Sequence, residues 1–127
     1  MDTKKCGKVG EEIAKNYLIK KGYKILDRNF VFKIPRFGKR GEIDIVAKKK
    51  DVICFVEVKS INKKNNFFIF PEAKVNSEKR KRLIQSAEGW LIKNKLPLNC
   101  KWQIDIISII FEKKNKSEIY HFENAIS

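Results

Sequence analysis

Cysteine, acidic residues and long apolar runs are all scarce in this sequence. The cysteines are three, Cys6, Cys54 and Cys100, widely spaced and without a C-x-x-C pair. An odd, dispersed set builds neither a disulfide framework nor a cysteine zinc site, and it fits a reducing cytoplasm. No apolar stretch approaches the length needed to cross a bilayer. The opening Met1-Asp2-Thr3-Lys4-Lys5 has no apolar core of the secretory type. Internal repeats and low-complexity linkers are missing as well. A soluble, cytoplasmic protein is therefore expected. Asp and Glu number 15 against 29 Lys and Arg, which leaves a formal charge of +14 and a pI near 9.8. Such a surface attracts polyanions, nucleic acid ahead of an anionic membrane. The chain is also rich in Ile and Asn, so biased composition supplies part of the lysine count. The excess of basic over acidic residues remains.

What is present suits a folded chain. With 127 residues, 43% hydrophobic and 35% charged, the sequence supports one domain over residues 1–127 with a modest core. Val9, Ile13, Ala14, Tyr17 and Leu18 recur at helical spacing, which predicts a helix over 8–21 stopped by Gly22. Residues 23–34 read as a strand broken by Pro35 and Gly38. Residues 42–47 and 52–60 read as a hairpin around a four-residue turn, Lys48 to Asp51. Residues 61–66 are polar and loop-like, and Phe67 to Phe70 form a short strand or aromatic loop. A second helix is expected over 77–95, capped by Asn76 or Ser77, with Leu83, Ile84, Ala87 and Leu91 on one face. Strands over 101–111 and 117–122 complete the chain. The order predicts an α/β fold, a mixed sheet flanked by helices.

The chemistry concentrates in Gly41-Glu42-Ile43-Asp44-Ile45-Val46 and Val52-Ile53-Cys54-Phe55-Val56-Glu57-Val58-Lys59. The apolar run from Val52 to Val56 belongs to a strand buried on both faces. Glu57 and Lys59 follow it, two apart and so on one face. A four-residue turn pairs Ala47 with Val52 and sets Asp44 opposite Phe55, diagonal to Glu57. Ile43, Ile45, Cys54, Val56 and Val58 then share the other face. Two carboxylates can hold a hard, oxygen-preferring ion such as Mg²⁺. The ion would activate water and stabilise phosphate charge, while Lys59 orients or deprotonates that water or neutralises the phosphate. The bland alternative is a surface ion pair between Glu57 and Lys59.

An acid followed by E-x-K at the end of the next strand resembles the PD-(D/E)XK nuclease superfamily. In more detail, Gly10-Glu11, Ala14, Leu18, Gly22-Tyr23, Asn29, Gly41 to Asp44 and Phe55 to Lys59 resemble the YraN-like family of predicted endonucleases, relatives of archaeal Holliday junction resolvases. Ala73, Val75, Lys79, Leu83, Ala87, Asp105 and His121 to Ala125 extend the likeness over nearly the whole chain. The resemblance implies a restriction-endonuclease-like fold. It implies that Asp44 and Glu57 bind Mg²⁺ or Mn²⁺, that Lys59 is catalytic, and that Glu11 supplies a helix-borne third carboxylate. Read without it, Glu11 is an acid of the first helical turn, favourable near the helix dipole and paired with Lys15. The chain departs from the family pattern at Ser60-Ile61, at Gln103-Ile104 and in a longer link from Asn29 to Gly41.

Basic residues around the acids are candidates for nucleic-acid contacts. Lys79 and Arg82 open the second helix against its dipole, a local cost that a phosphate would offset. Arg36, Lys39 and Arg40 sit on an expected loop just before the acids. Asp105 is either a fourth acid or a structural acceptor, and the lone histidine, His121, is expected to make a structural contact. Gln85 lacks the tyrosine of a Q-x-x-x-Y element, because residue 89 is Gly. The expected function is a metal-dependent endonuclease acting on DNA, including branched or repair intermediates, with no membrane partner and with a homodimer as one arrangement. The competing readings are an accessory nucleic-acid-binding protein with an idle site, and an RNA- or ribosome-associated basic protein.

Overall fold

The structure, a computed structural model, describes residues 3–34, 39–62, 76–112 and 116–126. Its elements run α1 (Thr3–Lys20), β1 (Lys24–Ile34), β2 (Lys39–Lys49), β3 (Val52–Asn62), α2 (Ser77–Lys93), β4 (Trp102–Phe111) and β5 (Ser117–Ile126). Arg36 and the aromatic segment Phe67 to Phe70 lie outside the described residues. Among those described, no helix is long and apolar enough to cross a membrane.

The five strands form one sheet in the order β1-β2-β3-β4-β5. Every neighbouring pair is antiparallel except β3 with β4, which run parallel. The parallel step follows from α2, which lies between those two strands in the chain. The expected α/β architecture, a mixed sheet flanked by helices, is what forms.

Each helix covers one face. On the α1 side, Ala14 and Leu18 pack with Tyr23, Ile45, Ala47, Cys54, Val56, Ile107 and Ile109. On the α2 side, Leu83, Ala87, Trp90 and Leu91 pack with Phe30, Ile43, Val46, Ile53, Phe55, Ile104 and Ile106. Strand β3 alternates between the two cores, which is why Ile53 to Val56 is apolar throughout. Phe55, wholly buried, meets Trp90 and Trp102 edge-on at 5.6 and 5.7 Å between ring centroids. Burying a side chain of that size contributes roughly 1.5–3 kcal/mol.

The helix ends follow local chemistry. Gly22 adopts φ 94, a left-handed conformation open to glycine, and Tyr23 N–H closes on Leu18 O at 2.9 Å. The Asn76 side chain caps α2 by accepting from Lys79 N at 2.8 Å. α1 starts well before residue 8, so Glu11 lies in mid-helix rather than in the first turn.

The hairpin corrects the expected turn. Lys49 pairs with Val52 and Ala47 with Cys54, so only Lys50 and Asp51 make the turn. Two-residue turns match the right-handed twist of the strands they join. Lys50 sits at φ 56, which costs a side-chain-bearing residue and not glycine. Lys50→Gly is therefore expected to stabilise the protein by about 0.5–1 kcal/mol. A rise in the denaturation midpoint with unchanged m checks this.

A second correction concerns the alternation of faces. Ile43 belongs to the α2-side core and Ile45 to the α1-side core, although they are two apart on β2. The same switch occurs on β1, where Arg28 pairs with Ile45 and Phe30 with Ile43. Between them stands Asn29 at φ 53, a conformation that asparagine tolerates better than most residues. The facing position on β2 is Asp44. Both strands therefore change faces at the level of Asn29 and Asp44.

Candidate metal and phosphate site

Asp44 marks the point where β2 leaves β3. The last backbone pair of that ladder is Ile45 with Val56, and the next facing positions are Asp44 and Glu57. Asp44 thus lies directly across from Glu57, not diagonal to it. The expected register was wrong by two residues. Asp44 Oδ2 accepts a hydrogen bond from Val58 N at 2.7 Å. That bond anchors the carboxylate against the strand carrying Glu57 and Lys59.

The electrostatics are strained in a way a cation would relieve. Burial, then the neighbouring Glu57 charge, pushes the Asp44 carboxyl up to about 7, against the Val58 N–H, which favours the charged form. The charge of Glu11 adds to the rise. This places Glu11, carried by α1, within electrostatic reach of Asp44. Its expected partner is not its own, since Lys15 pairs with Glu12 at 2.9 Å. Gly10 explains how α1 comes so near. A Cβ there would stand 2.0 Å from Ser60 Oγ, so only glycine lets the helix cross β3 at that point.

Glu57 faces two amines. Its Oε1 lies 3.4 Å from Lys59 Nζ and 3.5 Å from Lys79 Nζ. Burial alone would lower the Lys59 amine, but contact with the Lys79 amine and the charges of Glu57 and Asp44 hold it above its ordinary value. Burial and the Lys59 contact lower Lys79. Lys59 is thus held protonated, which suits a charge and hydrogen-bond donor better than a proton acceptor. The Glu57–Lys59 ion pair of the bland reading is present, joined by a second amine. Glu57 is 13% exposed and touches a second amine from another element.

A cleft of about 410 Å³ opens beside these residues, lined by Arg40, Glu42, Glu57, Lys79, Arg82 and Leu83. Gly41 lets β2 approach α2 there, since a Cβ would stand 1.9 Å from Ser86 Oγ. Of the basic candidates, Arg40, Lys79 and Arg82 meet in this cleft. Lys39 and Arg40 open β2 rather than lying on a loop, because β2 starts earlier than expected. Lys79 approaches Glu57 itself, closer to the acids than a peripheral contact. Glu42 escaped the sequence reading, although it stands inside the G-E-I-D stretch. It pairs with Arg40 at 3.5 Å across an exposed surface.

Asp105 and His121 do not join this group. Among the described residues, Asp105, His121 and Glu123 are the set of three whose potential ligand atoms lie within 4.8 Å of one another. They face α1. Asp105 is wholly buried, and its Oδ1 accepts from Gln103 Nε2 at 2.8 Å and Asn124 N at 2.9 Å. Its Oδ2 meets His121 Nε2 at 2.8 Å, and Tyr17 Oη meets His121 Nδ1 at 3.1 Å. The nearby Cys54 thiol is pushed up to about 12 by burial and by the Asp105 and Glu123 charges. The network is hydrogen-bonded throughout and joins β4, β5 and α1. This is the structural role expected of His121.

Comparison with known proteins places the chain. The model of the uncharacterised protein family UPF0102 matches residues 10–109. The chain belongs to UPF0102. A UPF0102 protein of Clostridioides difficile is 42% identical over 125 residues, 98% of this chain and 99% of that protein. A UPF0102 protein of Fervidobacterium nodosum is 45% identical, covering 97% of this chain and 83% of its own length. Among solved structures, Pyrococcus furiosus SfsA in complex with Ca²⁺ aligns with 99% of this chain and 65% of its own, at 18% identity and a TM-score of 0.43. The UPF0102 match spans Glu11, Asp44, Glu57, Lys59, Lys79 and Asp105.

Proposed function

We propose that this UPF0102 member is a Mg²⁺- or Mn²⁺-dependent endonuclease of the restriction-endonuclease-like class, acting on DNA. One observation carries the reading: the half-buried Asp44 carboxylate is bonded to Val58 N, beside Glu57, which is itself met by two amines at a basic cleft. The donor set is all oxygen, which suits a hard divalent ion. Asp44 and Glu57 would hold that ion, with Glu11 as a third carboxylate from α1. The bound ion would supply an activated water and charge stabilisation at the phosphate.

The chain's own groups do the rest. Lys59, held protonated, donates to the scissile phosphate and offsets its growing charge. Lys79 and Arg82 from α2, with Arg40 from β2, grip the flanking phosphates in the cleft. Such contacts position the backbone without reading sequence. This favours recognition of shape, as in branched or repair intermediates. A homodimer would present one site to each strand. A cytoplasmic, single-domain protein without a membrane partner fits this role.

A second reading, an accessory protein with an idle site, draws on Glu57 being neutralised by lysines. One panel separates the two. With Mg²⁺ or Mn²⁺, the protein is expected to cut at least one of duplex, single-stranded, flapped and four-way DNA. Glu57→Ala and Lys59→Ala should each lose about 100-fold or more in cleavage and still bind the same DNA. Unchanged binding with no cutting by any variant, wild type included, supports the idle site.

A further inference from the structure

Ser108 on β4 is 2% exposed, and its hydroxyl has no hydrogen-bond partner. Across the parallel β3–β4 ladder its partner is Lys59. Glu57 pairs with Ile106 in the same ladder, and Ile106 belongs to the α2-side core. Neighbours in register share a face, so Ser108 stands one strand over from Lys59 on the side where Glu57 and Lys59 project. The flanking positions on that face of β4, Ile106 and Ile110, are buried and apolar. An unpaired buried hydroxyl among them is destabilising. Packing alone would favour alanine or valine. Ser60 also carries an unpartnered hydroxyl, but it lies against Gly10 where α1 crosses, and the close approach accounts for it.

The geometry supplies a use for Ser108. Lys59 Nζ now has Glu57 Oε1 as its nearby acceptor, at 3.4 Å. A cation held by Glu57 would compete with Lys59 for that carboxylate. The ammonium then needs a new acceptor, and the Ser108 hydroxyl has both lone pairs uncommitted. We propose that Ser108 is a positioning residue whose hydroxyl receives the Lys59 ammonium once Glu57 engages a cation, keeping Lys59 aimed at the reacting phosphate. This rests on the nuclease reading above. It predicts opposite signs for stability and turnover, as expected where function retains a group that folding does not need.

The test compares wild type, Ser108→Ala and Ser108→Thr. Ser108→Ala is expected to melt at or above the wild-type temperature, because it removes an unpaired hydroxyl. Its kcat should fall about 10-fold with KM unchanged, and Ser108→Thr should restore it. By NMR, solvent exchange of the Lys59 Nζ protons should match wild type without metal and become several-fold faster in Ser108→Ala when Mg²⁺ is added. Wild-type kcat in Ser108→Ala overturns the proposal, as does a loss that tracks a lowered melting temperature and is not rescued by threonine. Should the wild type cut no substrate, the nuclease reading fails by itself. The exchange measurement then decides on Ser108, and identical rates in Mg²⁺ refute it.

Discussion

Replacing Asp44 with asparagine is expected to abolish cleavage and at the same time to stabilise the metal-free protein near neutral pH. The carboxyl is held up to about 7, first by burial and then by Glu57. In the unfolded chain it returns to the ordinary carboxylate range. Between roughly pH 4 and 7 the folded state therefore retains a proton that the unfolded state has released. Stability must fall as pH rises through that window, and the full penalty is felt above it. The shift corresponds to an effect on the order of 2–4 kcal/mol. Asparagine keeps an acceptor for Val58 N–H and carries no charge to desolvate. The melting-temperature gain of Asp44→Asn should be near zero at pH 4 and largest at pH 8. Mg²⁺ should raise the wild-type melting temperature more at pH 8 than at pH 5, and leave the variant unmoved. A variant less stable than wild type at pH 8 would mean that Asp44 is a structural acceptor and not a strained ligand.

Asp105→Ala should have the largest effect on folding. Its carboxylate is wholly buried and receives Gln103, Asn124 N–H and His121 at 2.8 to 2.9 Å. Removing it leaves Gln103, Asn124 N–H and His121 without their shared acceptor and releases the tie between β4, β5 and the Tyr17 hydroxyl of α1. At about 1 kcal/mol per hydrogen bond, losing the three costs on the order of 3 kcal/mol. Urea unfolding should show a midpoint lowered accordingly, while cleavage measured well below the melting temperature survives. The opposite pattern, native stability with lost cleavage, would make Asp105 a fourth acid of the chemistry.

These two acids show where reading the sequence succeeds and where it stops. Glu57 and Lys59 were legible because a run buried on both faces ends in two charges at period two, and that period survives any register error of even size. The hairpin shift from Lys48–Asp51 to Lys50–Asp51 was such an error, and it moved Asp44 from a diagonal position to the level of Glu57. Ile43 was not legible. Its face depends on the left-handed Asn29 of the neighbouring strand, and no period within β2 reports it. Glu11 was misplaced within its helix because the first turns of α1 lack an apolar stripe to mark them. Its nearness to Asp44 depends on Gly10 meeting Ser60, a contact between residues 50 positions apart.

The amino-acid sequence alone determined the α/β class and the two strands of the hairpin, and it singled out Asp44, Glu57 and Lys59 as candidates, because these rest on local periodicity and burial. Only tertiary structure decided that Lys79 shares Glu57 with Lys59, that Asp105 closes a hydrogen-bonded network with His121, and that Ser108 lies buried and unpaired beside Lys59. Those relations are made across strands and helices, where chain distance carries no information about separation in space.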